Sequence, residues 1–210
     1  MTSTRWGTSK NADAQEARER ILDAASRCFD RVGVPKTTMA QVAVEAKITR
    51  TTLYRYFESR EALVVGVMLR DTRHLKTQLL DATAGIEDVG EFIVEGILFC
   101  LREAPNRPLH IYLFGGEASS LMGGLFLSND QLFEIGSELL RPLFERAQEE
   151  GLLGEGIELA TLLEWVSRIT ISFMTTPSSR VAGEEEMRDL LRRLLLPAVM
   201  KEPKIIAPAS

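Results

Sequence analysis

Apolar residues recur at the spacing of an α-helix along nearly all of this 210-residue chain. No run of four to eight residues alternates between apolar and polar side chains in the manner of a half-buried strand. The first helix is predicted from about residue 13 or 14 to residue 32, and its inward face carries Ile21, Ala25, Cys28, Phe29 and Val32. The pattern predicts an all-α protein, and the length allows one large core or two small ones.

Capping signals divide the region that follows into short helices. Gly33 and Pro35 should end the first helix, because glycine favours a left-handed helix end and proline cannot continue the helix. Thr38 and Gln41 have the spacing of a capping box, which predicts a second helix that runs through Ala46.

A tight turn at residues 47 to 49 leads into a third helix, "RTTLYRYF", for which Thr49 is the expected N-cap. Ser59 then caps a fourth helix, predicted from about residue 60 to 81. Two short helices joined by a three-residue turn, the second of them opening with polar residues, indicate a helix-turn-helix.

The rest of the chain predicts longer helices and one flexible connection. Ser128 and Gln131 suggest a second capping box, which would open the helix expected at about 129–150. Pro142 lies within that helix and should kink it or mark a break. The helices are predicted over about 87–103, 106–114, 129–150, 156–175 and 184–200, with a glycine-rich connection at 114–126.

Charge is distributed unevenly along the chain. Residues 1–63 contain 11 Lys and Arg against 8 Asp and Glu, whereas residues 64–210 contain 14 against 22, for a net charge of -5 overall. A basic N-terminal part can bind a polyanion while an acidic remainder stays away from it and in solution.

The turn and the third helix carry side chains that suit duplex DNA. Arg50 and Thr51 lie at the start of the third helix, where side chains can reach base edges in the major groove. Hydroxyl groups and positive charges around them suit the phosphates on either side. The residues expected at the phosphates are Thr38, Lys47, Thr49, Thr52, Tyr54, Tyr56 and Arg60.

Residues 18 to 63, above all "TTMAQVAVEAKITRTTLYRYFESREAL", resemble the DNA-binding domain of the TetR family of transcriptional regulators. The "TLYRYF" core followed by "ESREAL" carries this resemblance, which covers about a quarter of the chain. It implies an all-helical homodimer in which three N-terminal helices bind DNA and a larger domain dimerises and usually holds a small effector. Positions that usually touch DNA match Thr38, Thr49, Arg50, Thr51, Thr52, Tyr54, Tyr56 and Arg60.

One position departs from the family pattern, which usually has glycine where this sequence has Lys47. A side chain in the left-handed conformation costs about 1 kcal/mol, and a phosphate contact by Lys47 would compensate for it.

The resemblance and the helical pattern together divide the chain into four parts. We expect a flexible arm over 1–12, the helix-turn-helix domain over 13–60, the helical effector-binding and dimerisation domain over 61–200, and a tail over 201–210. A two-fold dimer requires a palindromic operator.

Two apolar stripes are candidates for the dimer interface, and the alternative is that they only close the chain's own core. They lie on the helices predicted at 156–175 and 184–200 and comprise Leu159, Leu162, Leu163, Val166, Ile169, Phe173, Met187, Leu190, Leu191 and Leu194.

Large apolar residues in the middle of the chain suggest a cavity for a small, largely apolar effector, and the alternative for each of them is a place in a filled core. Effector binding would move the fourth helix and release the DNA. The candidates are Phe92, Phe99, Cys100, His110, Tyr112, Phe126, Phe133 and Trp165.

Two other function classes have less support. A helical protein-interaction module would use the basic helix to bind an acidic partner, and indifference to duplex DNA would favour it. An enzyme is expected least, because the chain has only two histidines, no HExxH or CxxC motif and no phosphate-binding loop after a strand. We therefore expect no catalytic residues, no cofactor and no metal.

The N-terminus has no apolar core of the kind that a signal peptide needs, and no segment is apolar enough to cross a bilayer, so a cytoplasmic protein is expected. Cys28 and Cys100 lie within apolar helical patterns and are expected to be free thiols.

Overall fold

The structure, a computed structural model, describes residues 7–103, 106, 107, 109, 129–176, 178–181 and 183–201, with side chains from residue 12 onward. The N-terminal residues 1–6, most of the helix predicted at 106–114, the connection at 114–126 and the tail after Lys201 lie outside the described residues. Within the described part the regular elements are helices, and one isolated antiparallel bridge joins Leu153 to Met200. The prediction of an all-α protein is confirmed.

The helices form two compact units, which divide the chain between Asp71 and Thr72. None of the helices among the described residues is long and apolar enough to cross a bilayer. The elements are α1 (Gly7–Val32), α2 (Met39–Glu45), α3 (Arg50–Tyr56), α4 (Arg60–Ala82), α5 (Val89–Glu103), α6 (Asp130–Glu149), α7 (Leu159–Thr175), α8 (Glu184–Leu194) and α9 (Leu196–Val199).

The first unit contains α1 to α3 and the first half of α4, so its boundary differs from the one expected near residue 60. The first turns of α4 belong to it because they pack closely on α3: a Cβ atom at Gly66 would lie 2.7 Å from Cε1 of Phe57. The core of this unit is mainly apolar, with Thr37 as a buried polar residue. Its most buried large side chains include Ile21, Cys28, Val34, Val42, Leu53, Leu63 and Val67.

Helix α1 begins at Gly7, before the start expected at residue 13, so part of the arm expected over 1–12 is helical. No proline interrupts these polar residues, and each residue added to an existing helix adds a backbone hydrogen bond. At its other end Gly33 takes a φ of 81° and donates to the carbonyl of Phe29 at 2.9 Å. The predicted stop is thereby confirmed.

The second unit contains the rest of α4 and helices α5 to α9, which enclose a common core. Backbone hydrogen bonds from Gly154 to Val199 and from Lys201 to Leu152 fasten the chain after α9 to the loop before α7. The fully enclosed core residues include Val89, Val94, Ile97, Leu98, Leu140, Phe144, Leu162, Leu191, Leu195 and Val199.

Two boundaries in the second unit differ from the expected ones, and of the kink or break expected at Pro142 the break is absent. The N-cap of α6 is Asn129, whose side chain accepts from the backbone N–H groups of Gln131 and Leu132 at 3.1 Å, and not Ser128. Helix α6 runs through Pro142 without a break. Helix α7 begins at Leu159 and not at 156, because Gly156 has a φ of 75° that no α-helix accommodates.

The helix expected over 184–200 is two helices, α8 and α9, which meet at Leu195. Pro197 explains the division. Its ring nitrogen has no hydrogen to bond the carbonyl four residues earlier, so the ladder of α8 stops and a new short helix begins with proline in its first turn.

Candidate nucleic-acid interface and ligand cavity

Two backbone hydrogen bonds to carbonyl groups of α2 form the turn between α2 and α3. Lys47 donates to Val44 at 3.0 Å and Ile48 donates to Ala43 at 3.0 Å, which is the Schellman arrangement of a helix end. Lys47 supplies the left-handed residue that this arrangement needs, with a φ of 56°. Its exposed side chain therefore stands at a position where glycine would be free of strain.

Helix α3 turns one face inward and the other to solvent. Leu53 and Phe57 are almost fully buried, which fixes the helix on the rest of the first unit. Arg50 and Thr51 are exposed on the first turn, and the guanidinium of Arg50 lies 5.9 Å from the ring centroid of Tyr54 one turn later. The three side chains form a continuous outward face, which we call the reading face.

The threonine hydroxyls near the reading face have local structural roles. Thr38 caps α2 in the predicted capping box, where its backbone N–H donates to Oε1 of Gln41 at 2.8 Å. Thr49 caps α3, accepting from the N–H of Thr52 at 3.1 Å, and the two hydroxyl oxygens lie 2.9 Å apart. Thr38 and Thr49 remain exposed, whereas Thr52 and Tyr56 are half-buried.

Arg60, which is expected at a phosphate, has two of its guanidinium nitrogens bonded within the first unit. Its side chain is half-buried, and Nε donates to the carbonyl oxygen of Thr37 at 3.0 Å while Nη2 donates to that of Val34. These two carbonyls belong to the loop between α1 and α2. Arg60 therefore holds that loop against the start of α4.

The sequence analysis did not identify Arg18, whose side chain helps to position α3. Its guanidinium lies 4.3 Å from the ring centroid of Phe57, and Nη1 donates to the carbonyl oxygen of Tyr56 at 3.4 Å. A cation at the C-terminal end of α3 is favourable because the helix dipole is negative there. The sequence signal was weak, since Arg18 precedes its partners by almost forty positions.

Glu45, the last residue of α2, is engaged with cations of α1. Glu45 binds Arg27 at 2.8 Å and Arg31 at 3.1 Å, and these hydrogen bonds lower the pKa of its carboxyl group. Among the described residues no carboxylate oxygen lies within 4 Å of a side-chain nitrogen of Lys47 or Arg50. Their charges are available to an external anion.

The second unit contains an apolar cavity with two adjoining lobes. We call the lobe that Phe92 and Ile97 line the inner lobe, and the lobe that Lys76, Phe133 and Glu164 line the outer lobe. The inner lobe has a volume of about 170 Å³ and the outer lobe about 200 Å³. Residues that line both include Cys100, Gly136, Leu163 and Ser167. The inner lobe is also lined by Thr72, Leu75, Leu79, Phe92, Ile93, Gly96, Ile97, Leu139, Leu140, Val166, Thr170, Ile171 and Met174.

The residues expected to line an effector cavity divide into three groups. Phe92 and Cys100 line the inner lobe, and Phe133 lines the outer one. Phe99 packs into a small core with Leu75 and Leu79 and is not among the lining residues, while Trp165 lies on a different surface. The expected residues His110, Tyr112 and Phe126 lie outside the described residues.

The residues expected at a dimer interface divide as well. Leu162, Met187 and Leu191 are buried in the chain's own core, so their side chains are not available to a second copy. Leu163 and Val166 line the cavity. The remaining ones, Leu159, Ile169, Phe173, Leu190 and Leu194, are half-buried or exposed.

An exposed apolar groove runs between α7 and α8. Trp165 is 50% exposed and Leu194 is 70% exposed, and Ile169, Phe173 and Leu190 lie between them. We call this surface the α7–α8 groove. Exposed apolar side chains that adjoin one another in this way make the groove a candidate contact surface.

The sequence analysis did not predict most residues of the cavity wall, because they are ordinary members of amphipathic helices. One signal was present: Gly96 and Gly136 stand inside helices, where an isolated glycine indicates a close approach or a gap. In the described part of the chain, no group of three His, Cys, Asp or Glu side chains is placed to hold a metal ion.

Comparisons with known proteins find a family of regulators over most of the first unit. The family model of "bacterial regulatory proteins, tetR family" matches residues 21–67. An uncharacterized HTH-type transcriptional regulator of Mycobacterium tuberculosis is 27% identical over 214 residues, which cover 100% of this chain and 94% of that protein. An HTH-type transcriptional regulator of Staphylococcus aureus is 30% identical over 136 residues, covering 58% of this chain and 73% of its own length.

A solved structure shares the fold over most of the chain. The crystal structure of RolR in complex with the ligand resorcinol matches with a TM-score of 0.67 at 17% identity, covering 87% of this chain and 89% of that chain. At this identity the likeness shows the fold alone.

Proposed function

Since the chain belongs to the TetR family of transcriptional regulators, we propose that it is a dimeric repressor which a small, largely apolar effector releases from a palindromic operator. A regulator of this kind acts where the DNA is, so we also propose a cytoplasmic location. The chain contains a helix-turn-helix, an apolar cavity and an apolar groove that is exposed among the described residues, and each one supports one part of the proposal.

The observation that carries the proposal is the reading face of α3. Arg50 and Thr51 are exposed at the start of a helix whose opposite side is anchored by Leu53 and Phe57. A rigid helix that presents a guanidinium and a hydroxyl can enter the major groove, where arginine reads guanine by two hydrogen bonds. Lys47 adds an unpaired charge beside it for the backbone phosphates.

The proposed dimer uses the α7–α8 groove. Trp165 and Leu194 are too exposed for members of a core, and a two-fold axis would let each groove cover its copy. Large aromatic and aliphatic anchors of this kind dominate the energy of protein interfaces. Two copies then place two α3 helices on successive half-sites, which is why the operator should be an inverted repeat.

The proposed effector occupies the two-lobed cavity. Leu75 and Leu79 of α4 line it, and the same helix begins at Arg60 in the DNA-binding unit. A ligand that shifts α4 therefore shifts the helix-turn-helix attached to it. RolR, which shares the fold, binds resorcinol, a small aromatic molecule. A coupling of about 1 to 3 kcal/mol would lower DNA affinity about 5- to 150-fold.

Selection of duplexes from a random DNA pool tests this function. The full-length protein is expected to enrich a single inverted repeat at physiological salt. Recovery of no common sequence, with equal binding to every duplex, would contradict a sequence-specific regulator. Failure to bind any duplex at low salt would favour a protein-interaction module instead.

A further inference from the structure

The described part of the cavity wall is mainly apolar, and one of its hydroxyl groups has no hydrogen-bond partner there. Of the polar residues along the inner lobe, Thr170 donates its hydroxyl to the carbonyl of Val166 at 2.8 Å, and Thr72 has a partner of its own. Ser167 lines both lobes, and its hydroxyl has no hydrogen-bond partner in the described part of the chain. Ser167 is thus the hydroxyl of the described wall that has its proton free to donate, whereas the Thr170 hydroxyl can only accept.

The charged residues at the outer lobe are already paired. Lys76 binds the carboxylate of Glu138 at 2.5 Å, and Glu164 binds Arg168 at 2.7 Å. The described wall therefore offers neither an unpaired cation to a carboxylate ligand nor an unpaired anion to an ammonium ligand. Against the described wall, an ionic molecule would lose its hydration without gaining an unpaired ion of opposite charge.

The remaining group that could carry charge, the thiol of Cys100, is neutral. Burial raises the pKa of this thiol to about 11, so it keeps its proton at physiological pH. Cys100 behaves there as a small apolar side chain with a weak donor.

We propose that the cavity selects an uncharged molecule with a hydrocarbon skeleton and a single hydroxyl or carbonyl group, which exchanges a hydrogen bond with the Ser167 hydroxyl. The site itself rests on the proposed function, in which this cavity holds the effector. An apolar cavity of about 150 Å³ admits a benzene ring, so the inner lobe of about 170 Å³ accepts one six-membered ring. The outer lobe has room for a short alkyl group.

Two glycines determine the space available to this ligand. A Cβ atom at Gly136 would lie 2.9 Å from Cδ1 of Leu163, so Gly136 keeps α6 and α7 close together. A Cβ atom at Gly96 would lie 3.8 Å from Cδ2 of Leu79, an ordinary contact. A larger side chain at Gly96 would therefore fill the lobe with little change to the packing around it.

The test compares three probes of nearly the same shape on the full-length protein without DNA. Calorimetric titration should show that para-ethylphenol binds about 2- to 10-fold more tightly than ethylbenzene, the factor that one hydrogen bond is worth. Para-ethylbenzoate, which is an anion, should bind at least tenfold more weakly than para-ethylphenol.

Three variants connect these affinities to the wall. Ser167→Ala should lower the affinity for para-ethylphenol to that for ethylbenzene and leave ethylbenzene unchanged. Gly96→Leu should abolish binding of both, and its circular dichroism should match wild type. Gly183→Ala adds its methyl group where no atom lies within 4 Å and should bind as wild type does.

Equal or tighter binding of para-ethylbenzoate, an unchanged preference in Ser167→Ala, or no binding of any neutral probe would overturn the proposal. A second readout, the affinity for the selected duplex, separates it from the proposed function. Selective binding of para-ethylphenol without any loss of DNA affinity would support the selectivity of the cavity and contradict its role as the effector site.

Discussion

Arg188 of α8 binds both carboxylate oxygens of Glu95 of α5, with Nε 2.6 Å from Oε1 and Nη2 3.1 Å from Oε2. The same guanidinium also binds Glu184 at 3.0 Å and Glu185 at 2.6 Å. Gly96, which follows Glu95, lines the cavity, and α8 forms one side of the α7–α8 groove. This ion pair fastens the helix of the proposed effector site to the helix of the proposed dimer interface.

The first prediction concerns the acid stability that this pair supplies. The hydrogen bond from Arg188 lowers the pKa of Glu95, so the pair contributes stability above the ordinary carboxyl pKa and loses it as pH falls through the lowered value. Glu95→Gln should cost about 1 to 3 kcal/mol at pH 7 and show a shallower loss of stability between about pH 5 and pH 3 than wild type. Urea unfolding at a series of pH values measures both.

The control for this prediction is Glu155→Gln, which removes an exposed carboxylate without an ion pair in the described part of the chain. It should follow the wild-type pH profile. Parallel profiles for wild type and Glu95→Gln would show that the pair does not stabilise the fold.

The second prediction concerns the strain at Lys47. Lys47→Gly removes a side chain from a φ of 56° and should stabilise the first unit by up to about 1 kcal/mol. If the ammonium group contacts a phosphate, the same change should weaken binding to all duplexes and lower the slope of log affinity against log salt by about one. Thermal unfolding and anisotropy titrations at several salt concentrations measure the two effects.

Lys47→Asn serves as the partner of that variant, because asparagine tolerates the left-handed conformation and also lacks the charge. Both variants should lose the same salt dependence. A wild-type salt slope in both would remove Lys47 from the DNA interface.

The third prediction concerns the structural role of Arg60. Arg60→Ala leaves the carbonyls of Val34 and Thr37 without their donor and should destabilise the protein by about 1 to 3 kcal/mol. Arg55→Ala, which removes an exposed guanidinium stacked on Tyr56, should cost less than about 0.5 kcal/mol. Equal stability of the two variants in denaturant would refute a structural role for Arg60.

The fourth prediction concerns the α7–α8 groove. Leu194→Glu places a charge at a side chain that is 70% exposed, so the protomer should keep its helical content while the dimer dissociates at micromolar concentration. Leu152→Glu, at a leucine that is 40% exposed and outside the groove, should remain dimeric. Sedimentation velocity measures the mass of each, and a dimeric Leu194→Glu would place the interface elsewhere.

The sequence was most informative where the deciding chemistry is local. Thr38 and Gln41 lie three residues apart and cap α2 by bonds to each other, so residue type and spacing alone predict the capping box. Lys47 is a second local case. It stands where the family pattern usually has glycine, which indicated a left-handed conformation, and the structure has a φ of 56° there. The cap of α6 was misplaced by one residue, since Ser128 and Asn129 are both good caps.

The sequence was least informative where long-range packing decides. Phe99, Leu162 and Trp165 are all large and apolar at helical spacing, yet one belongs to a small core, one to the main core and one to the surface. Periodicity shows that a residue faces inward from its helix, but not whether a core, a cavity or a second chain lies opposite. Arg60 illustrates the same limit, because its carbonyl partners come from the loop between α1 and α2.

The affinity of Arg50→Ala for the selected duplex and for its single-base variants tests the reading face most directly. Arg180→Ala, which removes an exposed arginine from the loop between α7 and α8, is the charge-matched control. We expect Arg50→Ala to lose about 1 to 3 kcal/mol of binding free energy and to stop discriminating at one base pair of each half-site, while Arg180→Ala binds as wild type does. Wild-type affinity and wild-type discrimination in Arg50→Ala would contradict the assignment of α3 as the helix that reads the operator.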